Sequence, residues 1–102
     1  MKRLEQHPEV EDEIQSWALI LAERSDRVPF EFLRAVREGL QHVRKYPERS
    51  HFVYKRFRRH NMKRFSHSII YREERDAVYV IAVMHQRRNP DYWKSRADES
   101  EA

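Results

Sequence analysis

The sequence contains no cysteine, and only one glycine and four prolines occur among its 102 residues. The absence of cysteine excludes a disulfide framework, a cysteine-ligated zinc site, an iron–sulfur cluster and a cysteine nucleophile. The scarcity of glycine and proline argues against low-complexity segments and repeat architectures. It favours regular helices and strands that are joined by short connections.

Long apolar segments are also missing. The longest uncharged run, Ile14–Ala22, has roughly half of the about 20 residues that a membrane-spanning helix requires. The first seven residues, Met1–His7, contain no apolar stretch that could form the core of a signal peptide. We therefore expect a soluble cytoplasmic protein without a membrane partner.

The remaining composition suits one small folded domain that covers residues 1–102. Hydrophobic residues make up 39% of the chain and aromatic residues 12%, which is enough for a core and argues against global disorder. We expect the acidic last segment, residues 97–102, to be frayed.

Charge is distributed unevenly along the chain. Residues 1–48 carry eight Lys and Arg and ten Asp and Glu, whereas residues 49–96 carry thirteen and four. The second half therefore creates a positive field that could attract phosphates or an acidic protein. A solvated basic surface would explain the charge alone, but the basic residues alternate with aromatic ones in predicted strands, which favours a binding face.

Two amphipathic helices are predicted in the first half of the chain. Apolar residues recur at helical spacing from Pro8 to Arg24, and acidic residues at the start of this segment favour a helix N-terminus. A second apolar face begins after Pro29 and ends at Tyr46–Pro47. Gly39 inside the second helix should cost about 1 kcal/mol relative to alanine. It either permits a close helix contact or is a neutral accident.

Strand patterns dominate the second half. Residues 52–57 are aromatic and β-branched and predict one strand, and residues 2–6 form a weak strand candidate. Residues 65–72 and 77–85 flank a polar turn and predict an antiparallel hairpin, whose second strand is apolar enough to be covered on both faces. The predicted fold class is α+β with two layers: an N-terminal strand and a helix pair packed on an antiparallel-rich sheet of about four strands. The order is β-α-α-β-β-β with a short C-terminal extension, and the other sheet face should be partly open and basic.

Three motifs in the C-terminal third resemble those of one family. They are the Arg-Phe-x-x-x-Ile-x-Tyr strand from Arg64, the Val-x-His-x-Arg-Arg end of the last strand, and the Pro-x-Tyr-Trp-x-x-Arg segment that ends at Arg96. Together with the order of helices and strands, they resemble the RelE/ParE superfamily of toxins from bacterial type II toxin–antitoxin systems. The resemblance implies a growth-inhibiting toxin, of the plasmid stabilisation kind, that a cognate antitoxin neutralises.

RelE-like members of this superfamily cut messenger RNA in the ribosomal A site without a metal or another cofactor. The attack of a 2′-hydroxyl on the neighbouring phosphate needs a base, an acid and cations that stabilise the developing charge. By this resemblance the candidate catalytic residues are His85, Arg88 and Tyr92. The candidate target-binding residues are Arg59, Lys63, Arg64, Arg87 and Trp93, of which the aromatic one could stack on a base.

ParE-like members inhibit DNA gyrase by protein–protein contact instead. The His-x-Arg-Arg end of the last strand looks closer to this branch. RNA-cutting members often have an arginine where this chain has Ser68, and several carry a charge where it has Gln86. The sequence therefore slightly favours gyrase as the target, with ribosome-dependent messenger-RNA cleavage as the alternative. A non-toxic nucleic-acid-binding module ranks last, and whether the chain is an enzyme stays open.

The candidate residues also have structural interpretations. His85 could equally be a structural hydrogen-bonding histidine, and the Tyr92–Trp93 pair favours packing of the C-terminus against the sheet. The remaining histidines show no metal-ligand spacing, so no metal site is expected. Neither a cofactor nor a small-molecule substrate is expected.

Overall fold

The computed structural model describes residues 2–101, with the side chains of residues 2–99. Its elements follow one another as β1 (Arg3–Gln6), α1 (Val10–Ala22), α2 (Val28–Lys45), a short 3-10 helix (Pro47–Arg49), β2 (His51–Tyr54), β3 (Phe57–Asn61), β4 (His67–Glu73), β5 (Ala77–His85) and α3 (Asp91–Glu101). The α+β class and the order of the predicted helices and strands are confirmed. Among residues 2–101, none of the helices combines the length and the apolar composition that a membrane span requires.

The sheet has five strands in the order β1-β5-β4-β3-β2. The N-terminal strand β1 pairs in parallel with β5, and the other neighbours are antiparallel. The predicted hairpin of β4 and β5 is confirmed, and β5 is an apolar interior strand between β1 and β4.

One core lies between the sheet and the helix pair. The helices contribute apolar residues at helical spacing, because only one face of each helix is turned to the sheet. The fully or nearly buried members from the helices are Val10, Ile14, Ala18, Leu21, Phe32, Val36 and Val43. Their sheet partners include Ile69, Tyr71, Val78, Val80 and Val83.

A second core covers the opposite face of the sheet, which the sequence had left partly open. Trp93 and Ala97 of α3 are 2% and 0% exposed and pack with Phe57, Ile70 and Ile81. Asn89 precedes the helix and caps its first turn, since its Oδ1 accepts a hydrogen bond from the Asp91 N–H at 2.9 Å. Residues 97–101, which were expected from the sequence to be frayed, continue this helix. Ala102 lies outside the described residues.

The predicted strand over residues 52–57 is a hairpin of two strands. The chain turns at Lys55 and Arg56, where Lys55 has φ 50° and Tyr54 pairs with Phe57. Turns of this kind usually contain Asn or Gly at a positive φ, and this chain has neither there. The sheet consequently has five strands where about four were expected.

Candidate functional site

A groove of about 690 Å³ opens at one end of β4 and β5, beside the C-terminal half of α1. We call it the histidine groove. Its walls are Trp17, Ile20, Leu21, Arg24, Val28, Arg64, Phe65, Ser66, His67, His85, Arg87 and Arg88. It therefore brings together His85, Arg64, Arg87 and Arg88 from the predicted set.

Two histidines form the base of the groove. His67 and His85 are directly opposite each other in the β4–β5 pairing, and their ring centroids are 5.2 Å apart. Trp17 of α1 contacts both rings: it meets His67 edge-on at 4.6 Å and stacks on His85 at 5.4 Å. The three rings fix the junction of α1 with this end of the sheet.

His67 is buried without a polar partner. Its side chain is 3% exposed, and neither ring nitrogen has a hydrogen-bond partner among the described residues. Burial lowers the pKa of His67 to about 4, with a further contribution from the charge of His85. The ring is therefore neutral at pH 7 and fills the base of the groove as an aromatic side chain.

His85 is oriented by the turn that follows β5. Its Nδ1 accepts a hydrogen bond from the backbone N–H of Arg87 at 3.1 Å, and its carbonyl oxygen accepts one from Arg88 at 3.0 Å. An accepting Nδ1 assigns the proton of the neutral ring to Nε2. In that tautomer Nε2 donates a hydrogen bond and is not available as a proton acceptor.

The rim of the groove is cationic. Arg24, Arg64, Arg87 and Arg88 line it, and no Asp or Glu is among its described wall residues. Arg64 forms an ion pair with Glu31 at 3.2 Å, and the guanidinium of Arg88 lies 3.5 Å from the ring centroid of Tyr92. Four guanidinium groups around an aromatic base suit an acidic or phosphate-bearing partner.

The structure separates Tyr92 and Trp93 from the groove. Trp93 is buried in the second core, and its indole N–H points to the Met84 sulfur at 3.2 Å. The Tyr92 hydroxyl is buried as well, and burial together with the Glu13 carboxylate raises its pKa. Trp93 and the Tyr92 hydroxyl therefore lie away from the groove, and this placement does not support the stacking and proton-transfer roles predicted for them.

Arg59 and Lys63 lie elsewhere. Arg59 Nε donates to the Asn61 Oδ1 at 3.0 Å and to the Ser68 hydroxyl at 3.1 Å, and Ser68 donates to Asn61 at 2.6 Å. Because side chains alternate along a strand, Ser68 lies on the face opposite His67. Lys63 lines a separate cavity beside α2.

Sequence reasoning missed three members of the groove. Neither Trp17 nor Arg24 was singled out as a site residue from the sequence, and His67 was treated only among the histidines that show no metal-ligand spacing. The pairing of His67 with His85 depends on a register shift between Ile70 and Tyr71. Such a bulge has no clear sequence signal, so the two histidines could not be brought together from the pattern alone.

Comparisons with known proteins agree with this fold. A family model described as "ParE toxin of type II toxin-antitoxin system, parDE" matches residues 4–90. A solved chain described as "Chromosomal ParDE TA system from P. aeruginosa" superimposes with a TM-score of 0.59 at 13% sequence identity. It covers 83% of this chain and 96% of its own. At that identity the likeness concerns the fold. No protein of curated function matches the chain by sequence.

Proposed function

The chain belongs to the ParE toxin family of type II toxin–antitoxin systems, and we propose that it arrests growth by binding DNA gyrase through the histidine groove. In this proposal a cognate antitoxin relieves the arrest, and both contacts are made in the cytoplasm. The proposal rests on the family and on the separation of the candidate catalytic groups.

The position of Tyr92 is the observation that favours a binding mechanism over RNA cleavage. General acid–base catalysis needs the acid and the base within hydrogen-bond reach of the reacting atoms. The Tyr92 hydroxyl is buried beside Glu13, whereas His85 is at the groove with Nδ1 already accepting a hydrogen bond. Ser68, at the position where RNA-cutting relatives often have arginine, is 0% exposed and bonded to Asn61.

The surroundings of the groove favour a protein as the occupant. Ile20 lines the groove and is 47% exposed, and Leu19 beside it on α1 is 71% exposed. Apolar contacts of this kind supply binding free energy, while arginines at a rim steer an acidic partner and fix its orientation. A gyrase segment with carboxylates flanking an apolar residue would match this pattern.

The decisive experiment compares the two targets with the same protein. Purified toxin is added to gyrase and supercoiled DNA, and separately to ribosomes translating a defined messenger RNA. We expect inhibition of gyrase supercoiling, or trapped cleavage complexes, and intact messenger RNA. Codon-resolved cleavage in the second reaction with unaffected gyrase would overturn the proposal in favour of a nuclease.

A double variant tests whether the groove makes the contact. His85→Ala combined with Arg88→Ala should abolish gyrase inhibition and growth arrest. The matched control is His51→Ala with Arg75→Ala, which removes the same residue types from exposed positions outside the groove. Full inhibition by the first variant, once circular dichroism shows that it is folded, would exclude the groove from the contact.

A further inference from the structure

A second cavity, which shares only Arg64 with the histidine groove among their described wall residues, lies between α2 and the chain that follows β3. We call it the α2 cavity, and its volume is about 250 Å³. The residues that determine its chemistry are Glu38, Gly39, His42, His60, Lys63 and Arg64. Its size is below the range of about 300–1,000 Å³ that holds drug-sized ligands, so it suits a small one.

Two imidazole rings form one wall of this cavity. His42 of α2 stacks on His60 of β3 with 4.8 Å between the ring centroids and 27° between the planes. The rings come from different elements, and the tertiary fold alone places them together. Each neutral imidazole carries one N–H donor, so the pair can supply two donors to this wall.

Two cationic side chains line the α2 cavity, and one of them, Arg64, is paired with Glu31. Lys63 and Arg64 line it beside the two imidazoles, and Glu38 is the one carboxylate among its described wall residues. Burial lowers the pKa of His60, and the charges of His42 and Lys63 lower it further. Burial and the neighbouring cation therefore both oppose protonation of the His60 ring, and an anion beside the ring would favour it.

Gly39 keeps the cavity open and the helix close to the sheet. A Cβ atom at this position would lie 2.8 Å from the Ile69 Cδ1 and 3.7 to 3.8 Å from the His60 ring. A larger side chain would therefore enter the space in front of the imidazole. The close approach accounts for a glycine in the middle of a helix, where it costs about 1 kcal/mol.

A metal ion does not fit this arrangement. Within residues 2–99, no three His, Asp or Glu side chains are grouped so that they could hold one. Glu38 is the one carboxylate beside the stacked rings among the described wall residues, and the cations Lys63 and Arg64 line the same cavity.

We propose that the α2 cavity binds a small phosphate dianion, such as orthophosphate or the terminal phosphate of a nucleotide, through His42, His60 and Lys63. A tetrahedral dianion can accept hydrogen bonds from several converging donors at once, and bonds between charged partners are about twice as strong as neutral ones. The proposal does not depend on gyrase as the target, because it concerns a different cavity.

Titration of the full chain with orthophosphate and pyrophosphate tests the proposal. Isothermal calorimetry and the histidine C–H signals in NMR are recorded at constant ionic strength. We expect saturable binding and an upward shift of the His60 pKa in the presence of phosphate. Lys63→Gln and His42→Gln should each weaken binding roughly tenfold, since one charge-assisted hydrogen bond is lost. Glu38→Gln should strengthen it severalfold.

The control is Arg75→Gln, which removes a cation from another surface depression, lined by Lys2, Arg44 and Asp76 among others. This variant should bind phosphate as the parent does. Equal weakening by Arg75→Gln and Lys63→Gln, or binding without saturation, would overturn the proposal, because either result indicates diffuse attraction to a basic surface. Lys63 is exposed and lies outside helices and strands, so its variant remains informative if His42→Gln fails to fold.

A DNA duplex, added at the same concentration of phosphate groups as the orthophosphate, tests whether the cavity binds the phosphodiesters of a nucleic acid instead. Binding of the duplex that depends on Lys63, with no saturable binding of orthophosphate or pyrophosphate, would overturn the small-dianion assignment in favour of nucleic acid.

Discussion

His67 and His85 face each other across neighbouring strands with 5.2 Å between their ring centroids, yet only His85 has a hydrogen-bond partner for a ring nitrogen among the described residues. The difference follows from their positions. His85 ends its strand, so the next turn supplies an N–H, whereas His67 begins β4 beneath Trp17 and Phe32. A backbone hydrogen bond from the turn orients His85, whereas aromatic rings enclose His67.

This burial predicts a pH-dependent stability. The pKa of His67 is about 4 in the folded chain and about 6.5 in the unfolded one, so the folded state binds fewer protons between these values. The free energy of unfolding is therefore highest above pH 6.5 and decreases as the pH falls toward 4. The loss should be roughly 3 kcal/mol. Urea unfolding at pH 7, 5 and 4 measures it.

Replacement of the buried histidine supplies the control for that experiment. His67→Phe should reduce the dependence between pH 6.5 and 4 and leave the part that comes from His60, whereas His51→Gln, at an exposed position, should leave it as in the parent. An unchanged slope in His67→Phe would show that another group is responsible.

Trp93 should act through stability. Trp93→Ala removes a side chain that is 2% exposed and packs with Tyr54 and Phe57, and it should destabilise the fold by about 3–5 kcal/mol. Chemical denaturation gives the value. Exposed Phe30→Ala, a matched loss of an aromatic ring, should cost far less. Equal stability of Trp93→Ala and the parent would restore a ligand-stacking role.

Gly39 and Ile69 should be energetically coupled. In the parent, Gly39→Ala gains about 1 kcal/mol of helix propensity but forces the Ile69 Cδ1 to move. In an Ile69→Val background that methyl group is absent, so the same substitution should stabilise the fold by nearly the full amount. A double-mutant cycle measures the coupling, and strictly additive free energies of unfolding would contradict the close approach.

A buried ion pair joins α1, β5 and α3. Glu13 accepts the Val83 N–H at 3.1 Å and pairs with Arg96 at 3.1 Å, and the two charged side chains are 11% and 12% exposed. Arg96→Met should cost about 3–5 kcal/mol, because it leaves a carboxylate buried without its partner.

The double variant Glu13→Gln with Arg96→Met should cost less than the sum of the single changes, since no charge is then stranded. Thermal and urea unfolding of the three variants check this. A simple sum would mean that the pair contributes through packing alone.

Much of the fold follows from local patterns. The spacing of apolar residues gave both long helices, and the apolar run over residues 77–84 gave the central strand. The turn at Lys55 was missed because a lysine rarely adopts a positive φ. Helix α3 was missed because its buried face consists of few residues, Trp93 and Ala97 above all, and such a short apolar stripe gives little periodic signal.

The candidate site was predicted in part. His85, Arg87 and Arg88 are consecutive or nearly so in sequence, and the histidine groove keeps them together. Trp93 and Tyr92 follow closely in the chain but are drawn into the interior by α3. Proximity in sequence therefore predicted which residues share the groove within the turn after β5, but not beyond the start of α3.

The amino-acid sequence alone determined the class of the protein, the two long helices, the central hairpin and the cationic second half, because these depend on local spacing and on composition. Tertiary structure decided which ionisable groups meet: His67 with His85, His42 with His60, and Glu13 with Arg96. These pairs join residues on different elements. Their contact is set by strand register, by a bulge and by the packing of α3, none of which is encoded in a short stretch of chain.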